Sequence, residues 1–222
     1  MADEFKFDWR VGEAERLSSA STARNRDPIL AVLRELLTDA GMVLEIASGT
    51  GEHGIYMAAH LPHIVWQPSD PDETSRRSIE AWRLTTGVEN LRPPLDVDTT
   101  AKNWATRAAA RMGAAPVAVV CCNMIHIAPW EAAQGLIAGA GELVTGDGVL
   151  YLYGPYSRGG HMVPSNESFD RHLRTQNPRW GVRALEEVEA LATQAGFSLE
   201  RTVDMPANNL SVCFRFQGVR EG

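Results

Sequence analysis

Three acids sit within or at the end of short apolar runs: Glu45 in MVLEIA, Asp70 in IVWQPSD and Asp96 in NLRPPLD. Just behind Glu45 lies GTGEHG, Gly49 to Gly54, which fits the spacing G-x-G-x-x-G. Gly49 and Gly51 let the backbone come closer to a ligand than a Cβ would allow. Where such a loop opens a helix, unpaired N–H groups and the helix dipole favour an anion. The chemistry this could serve is the capture of a dinucleotide's pyrophosphate, with Asp70 on a ribose diol. Glu52 stands against that reading, because it puts a carboxylate in the first helical turn beside the proposed anion. The glycine signature alone leaves its ligand open, and the rest of the chain arbitrates.

The elements that must hold these residues follow from periodicity. Asp27 and Pro28 form a cap and first-turn pair, and Ile29, Leu30, Leu33, Leu36 and Leu37 then recur at helical spacing. The run MVLEIA predicts a buried strand, and helix and strand then alternate. Helices are expected over 52–60, 72–84, 99–112, 130–140 and 184–195. Strands are expected over 64–67, 90–95, the run PVAVVCCNMI and 148–153, with two closing runs at 197–205 and 211–216. Alternation of this kind predicts a doubly wound, Rossmann-like α/β fold with a mostly parallel sheet. The last two runs are joined too closely for a crossover, so they are expected to pair antiparallel. We expect a single domain over 27–222, preceded by an N-terminal segment, 1–26, that acts as a lid. Residues 154–183 break the alternation and read as a long substrate-side insertion rich in Gly, Pro, Tyr, His, Asn and Trp.

Composition narrows the function classes. With 222 residues, 44% hydrophobic and 22% charged, the chain can enclose its own core. A net charge of −7 argues against a basic nucleic-acid-binding face. The three cysteines form no spaced framework, and adjacent Cys121 and Cys122 read as small buried hydrophobes. Neither a signal peptide nor a bilayer-spanning run is recognisable, so a reducing cytoplasm is the expected setting and no membrane partner is expected. His53, His126, His161 and His172 lack metal-like spacing, so no metal is expected.

The run VLEIASGTG is similar to the first motif of the class I S-adenosylmethionine-dependent methyltransferases. The segments RNRDPIL, LEIASGTGEHG, WQPSDPD, CCNMIHIAPW, NESFDRHLRTQNPRWGVR and NNLSVCFRF together resemble one group within them, the methyltransferase-like proteins that include methyltransferase-like protein 26. The resemblance implies S-adenosyl-L-methionine as cofactor. That molecule has no phosphate, and its sulfonium and amino groups are cationic, so an acidic rim suits it better than it suits a dinucleotide. It further implies that Glu45, Ala47, Gly49 and Gly51 form the cofactor loop, with Ala47 standing where a glycine is usual. Asp70 falls on the ribose hydroxyls, Asp96 on the adenine amino group, and Asn123 to His126 where cofactor and substrate meet. His126 is then the leading candidate general base, with an unperturbed pKa of ~6.5, and Tyr153 is a second catalytic candidate. Arg24 and Asn25 are placed just before the first helix, where they could close over the cofactor's carboxylate.

The substrate is expected to be a small organic molecule held by residues from the set Tyr153, Tyr156, His161, Asn166, Asp170 and Trp180, some of which simply pack. Trp180 in the same region is best explained by packing. The expected activity is methyl transfer to an O, N or S nucleophile, which needs alignment and desolvation and does not always need a base. Two alternatives remain: other chemistry on the sulfonium, such as cyclisation, and a non-catalytic cofactor-binding module.

Overall fold

A computed structural model describes residues 9–11 and 15–218. Strands β1 (Trp9–Val11) and β2 (Leu17–Ser19) pair antiparallel and lead into helix α1 (Ala20–Leu36). Then come β3 (Gly41–Ile46), α2 (Glu52–His60), β4 (Ile64–Ser69), α3 (Glu73–Thr86), α4 (Trp104–Met112), β5 (Ala118–Cys122) and α5 (Trp130–Leu143). The chain closes with β6 (Val149–Ser157), α6 (Pro164–Gln176), β7 (Arg183–Ala184), α7 (Leu185–Gln194), β8 (Phe197–Met205) and β9 (Asn209–Phe216).

The main sheet runs β4-β3-β5-β6-β9-β8, with the short β7 beside β6. Strands β4, β3, β5 and β6 are parallel. Strand β9 runs antiparallel to β6 and β8 antiparallel to β9, as the short connector between the closing runs requires. Both faces of the central strands are buried, which explains why they read as continuous apolar runs. Leu44, Val119 and Leu150 face a core with Leu136 of α5 and Val188 of α7. Their neighbours Val43, Val120 and Tyr151 face the opposite core with Leu33 of α1 and Met57 of α2. Strand order reverses at β3, whose partners β4 and β5 lie on opposite sides. The carboxyl end of β3 therefore opens a crevice at the switch point of the sheet.

Four local expectations give way to the structure. Helix α1 begins at Ala20, because Ser19 caps it by accepting from the Ser21 N–H at 3.3 Å. Asp27 and Pro28 thus lie inside the helix, where proline has no N–H to return to the Arg24 carbonyl. The division placed at residue 26 consequently falls within a continuous helix. Residues 90–95 form no strand: only the bridges Trp66–Leu91 and Ser69–Leu95 join them to β4, since Pro93 and Pro94 cannot donate to a ladder. The helix expected from Thr99 starts at Trp104, after a turn in which Asp98 accepts from the Thr100 N–H at 2.8 Å. Finally, the supposed long connection 154–183 holds the end of β6 and all of α6. Among the described residues no helix is long and apolar enough to cross a membrane.

Candidate active site

The loop Ala47 to Gly51 joins β3 to α2 by a run of left-handed backbone, with φ of 56° at Ala47, 56° at Gly49 and 88° at Gly51. It is stitched to the end of β4. The Ser48 N–H donates to the Ser69 carbonyl at 2.9 Å, the Ser69 N–H to Ser48 Oγ at 3.1 Å, and Ser69 Oγ to the Glu45 carbonyl at 2.7 Å. Asp70 then clamps the loop from outside the strand: Oδ2 accepts from the Gly49 N–H and Oδ1 from the Asp72 N–H, both at 2.9 Å. A side chain at Gly51 would meet the Ile79 backbone at 3.0 Å. Ala47 takes the same left-handed conformation with a Cβ, which costs roughly 1–2 kcal/mol. Replacing Ala47 with glycine relieves that strain but also frees the unfolded chain, so the net gain is up to about 1 kcal/mol. A higher urea midpoint for Ala47→Gly is the expected result, and a lower one would show that the alanine methyl packs usefully.

Beneath the loop lies Glu45. Its Oε2 accepts from Trp66 Nε1 at 3.0 Å, and burial raises its pKa from 4.5 to about 7 against the opposing bonds of Trp66 and Ser48. Asp70 is also displaced upward, chiefly by burial. Gly54 lets α2 lie this close to β3, because a Cβ there would stand 2.8 Å from Glu45 Oε2 and 3.2 Å from Trp66 Nε1. The last glycine of the signature therefore serves helix packing over an acid. We expect Gly54→Ala to destabilise the fold by about 1–3 kcal/mol. It should also weaken ligand binding by displacing the carboxylate, measurable as a loss of both urea midpoint and affinity.

These groups border a cavity of about 530 Å³. Glu45, Asp70 and Asp72 bring carboxylates to its wall, and no lysine or arginine lines it among the described residues. Ser19, Ser21 and Thr22 close one side. They are held there by the Leu17 N–H bond to Ser78 Oγ at 2.8 Å and by Ser78 Oγ donating to the Thr50 carbonyl at 2.7 Å. Glu52 joins the same brace by accepting from the Ser19 N–H at 2.5 Å. It does not line the cavity, so the acidic character comes from Glu45, Asp70 and Asp72 rather than from Glu52.

The sequence candidates divide sharply on position. Glu45, Ala47, Gly49, Asp70 and Asn123 all line the cavity, and Gly51 turns the loop behind them. Asp96 does not line it: the side chain is 70% exposed and pairs with Arg76 at 3.3 Å. Arg24 is exposed on α1, outside the lining. Asn25 is buried on the same helix and reaches the site only through His53, whose Nε2 meets its Oδ1 at 2.7 Å. Tyr153 is buried between the side chains of Asn25 and Asn209 and is not in the wall.

His126 is the largest correction. Asn123 adopts a left-handed conformation, and the single turn Met124–His126 that follows swings the ring back into the core. His126 is fully buried and outside the cavity wall; its Nδ1 accepts from the Arg183 N–H at 3.3 Å. Its Nε2 has no hydrogen-bond partner among the described residues and lies where a Cβ on Gly154 would be 2.5 Å away. Burial, with the nearby Arg183 charge, lowers its pKa to about 3. In that position the ring does not border the cavity.

His53, which was not singled out, and Trp180, read above as packing, are also in its wall. His53, in the first turn of α2, is neutral because burial and Arg26 lower its pKa to about 4. Trp180, in the loop after α6, lines the cavity together with Asn123, Met124, Ile127 and Ala128. Arg183 fastens the loop after β5 by donating to the Ile125 carbonyl at 2.9 Å and the Ala128 carbonyl at 2.8 Å. Tyr156, His161 and Asn166 line a separate cavity of about 350 Å³. Asp170 accepts from Arg174 and from the Val182 N–H, a structural role.

The sheet order and the antiparallel closing pair define the class I methyltransferase fold, and solved structures agree. An O-methyltransferase family protein from Burkholderia thailandensis superposes with a TM-score of 0.71 at 16% identity, over 88% of this chain and 57% of its own. An O-methyltransferase family 2 protein from Planctomyces limnophilus, in complex with apigenin, gives 0.72 at 14% identity, over 86% of this chain and 56% of its own. Magnesium protoporphyrin IX methyltransferase from Synechocystis, with SAH (S-adenosylhomocysteine) bound, gives 0.63 at 15% identity, over 86% and 81%. The chain thus spans little more than half the length of the first two. A family model described as "Protein of unknown function (DUF938)" matches residues 16–216. The chain belongs to that family.

Proposed function

We propose that this protein binds S-adenosylmethionine at the carboxyl end of β3 and transfers its methyl group to a small-molecule nucleophile. The observation that carries this reading is the wall of the cavity: Glu45, Asp70 and Asp72 line it, and no cationic side chain does among the described residues. A pyrophosphate would be repelled there, whereas a sulfonium and an ammonium are attracted. Asp70 uses one lone pair on each oxygen for the Gly49 and Asp72 N–H groups, which leaves further acceptor sites for ribose hydroxyls. Gly49 gives the ligand access to backbone, and Asn123 lies in the same wall. When bound, the cofactor supplies an electrophilic methyl carbon. The chain's own contribution is to orient the acceptor and exclude water, since His126 and Tyr153 do not reach the cavity. Asp96 is left out of the cofactor set, since it pairs with Arg76 outside the wall.

The finer placement, beside methyltransferase-like protein 26, rests on the motifs LEIASGTGEHG and CCNMIHIAPW. Free Cys121, Cys122 and Cys213 suit the reducing compartment proposed for it. Calorimetry with S-adenosylhomocysteine and with NAD tests the reading directly. Binding of the first without the second is the expected result. Tight binding of NAD alone would overturn it.

A further inference from the structure

We propose that Asn25 and Tyr153 are positioning residues for His53. They fix its ring in the tautomer that carries hydrogen on Nε2, and the free Nδ1 lone pair accepts a hydrogen bond from the bound cofactor. This rests on the cofactor reading above and deepens it.

His53 lies in the first turn of α2 and lines the cavity. Its Nε2 stands 2.7 Å from Asn25 Oδ1. An amide oxygen can only accept, so in that contact Nε2 carries the hydrogen and Nδ1 the lone pair. The sense of the amide decides this, because a flipped Asn25 would donate to Nε2 and move the hydrogen to Nδ1. Tyr153 fixes the sense, since its hydroxyl bonds the same amide. Burial raises the phenol's pKa, and the Asn25 bond opposes that rise. Donation from the amide N–H has that effect, whereas acceptance of the hydroxyl proton by the amide oxygen would have the opposite one. With its N–H turned to Tyr153, Asn25 presents its oxygen to His53.

Nδ1 makes no bond to the described residues and, unlike Nε2 of His126, is not sealed in the core. The three carboxylates among the described wall residues are already engaged in part. Glu45 accepts from Trp66, Asp70 from the Gly49 and Asp72 N–H groups, and Asp72 from the Ser75 N–H at 2.8 Å. A neutral nitrogen adds an acceptor to this wall without adding charge. The cofactor brings ammonium, amino and hydroxyl donors that such a lone pair can meet. An imidazolium could accept from none of them and would oppose the sulfonium as well. Burial and Arg26 keep the ring neutral, and the Asn25–Tyr153 pair decides which nitrogen is free.

Nitrogen NMR of the isotopically labelled, ligand-free full chain at neutral pH reads the tautomer, with His53→Gln identifying the signal. Hydrogen on Nε2 is expected in the native protein. Tyr153→Phe is expected to populate the second tautomer and to weaken S-adenosylhomocysteine binding about tenfold by calorimetry. Asn25→Asp separates control of the tautomer from packing. A carboxylate only accepts, so in that background Tyr153→Phe should leave the hydrogen on Nε2. Hydrogen on Nδ1 in the native protein, or a Tyr153→Phe spectrum that keeps the native tautomer, would overturn the assignment of Asn25 and Tyr153. Should Tyr153→Phe fail to fold, the native spectrum still decides the tautomer. A changed tautomer with unchanged affinity would overturn the part given to Nδ1 in binding. Failure of S-adenosylhomocysteine to bind the native chain would instead remove the cofactor reading, which the ligand-free spectrum does not depend on.

Discussion

Asp70→Ala is expected to weaken S-adenosylhomocysteine binding on the order of 100-fold. Two losses combine. The Gly49 and Asp72 N–H groups lose the oxygens they donate to at 2.9 Å, and the ligand's ribose loses a charged acceptor. Leaving a part-buried donor without a partner costs roughly 1–3 kcal/mol, and a bond to a charged group contributes roughly 1.5–3. These overlap, because a loop already released gives the ribose less to bind. A combined cost near 3 kcal/mol corresponds to roughly 100-fold. Asp70→Asn separates the parts: the amide oxygen keeps one N–H bond but offers no charge, so a loss of about tenfold is expected. Calorimetry on both variants, with urea unfolding to follow the loop's share, gives the two numbers. An unchanged affinity in Asp70→Ala would remove the residue from the site.

Parts of this site were legible in the sequence for a definite reason. Glu45 and Asp70 sit where apolar runs stop, and the residues where β3 and β4 end are the ones a doubly wound sheet exposes to its ligand. The pairing of β8 with β9 followed from a connector too short to cross the sheet. What could not be read depends on single backbone choices and on polar surfaces. One left-handed residue, Asn123, decides that His126 faces the core, and spacing along the chain carries no trace of it. Helix α6 buries only Asn166 and Leu173, so it shows no apolar stripe to betray it. Helix α1 offered two starts, and the Ser19 cap prevailed over the Asp27–Pro28 pair because a single interior proline does not stop a helix packed through Ile29, Leu30 and Leu33. Trp180 reaches the cavity from far along the chain, and its position was set by Arg183's bonds to carbonyls of the loop after β5.

Glu45→Gln is expected to move stability and affinity in opposite directions. Burial lifts the Glu45 pKa from 4.5 to about 7, so between those values the folded protein holds a proton that the unfolded chain has released. The folded state therefore loses stability as pH rises through that window, by roughly 3 kcal/mol in full above it. Glutamine keeps the shape and an oxygen for Trp66 Nε1, and it has no charge to bury. Urea unfolding should show the variant matching the native protein near pH 4 and exceeding it by a few kcal/mol at pH 8. The cationic cofactor reverses the preference, because it stabilises the ionised carboxylate. In the native protein its affinity should rise as pH approaches 7 from below, with a proton released on binding that calorimetry in two buffers can count. In Glu45→Gln that proton should vanish and the affinity should fall by tenfold or more, consistent with a lost charge pair of about 1.4 kcal/mol or greater. A variant that kept full affinity would mean that the buried acid is there for Trp66 and Gly54 alone, and that the cavity's attraction for a cation comes from Asp70 and Asp72.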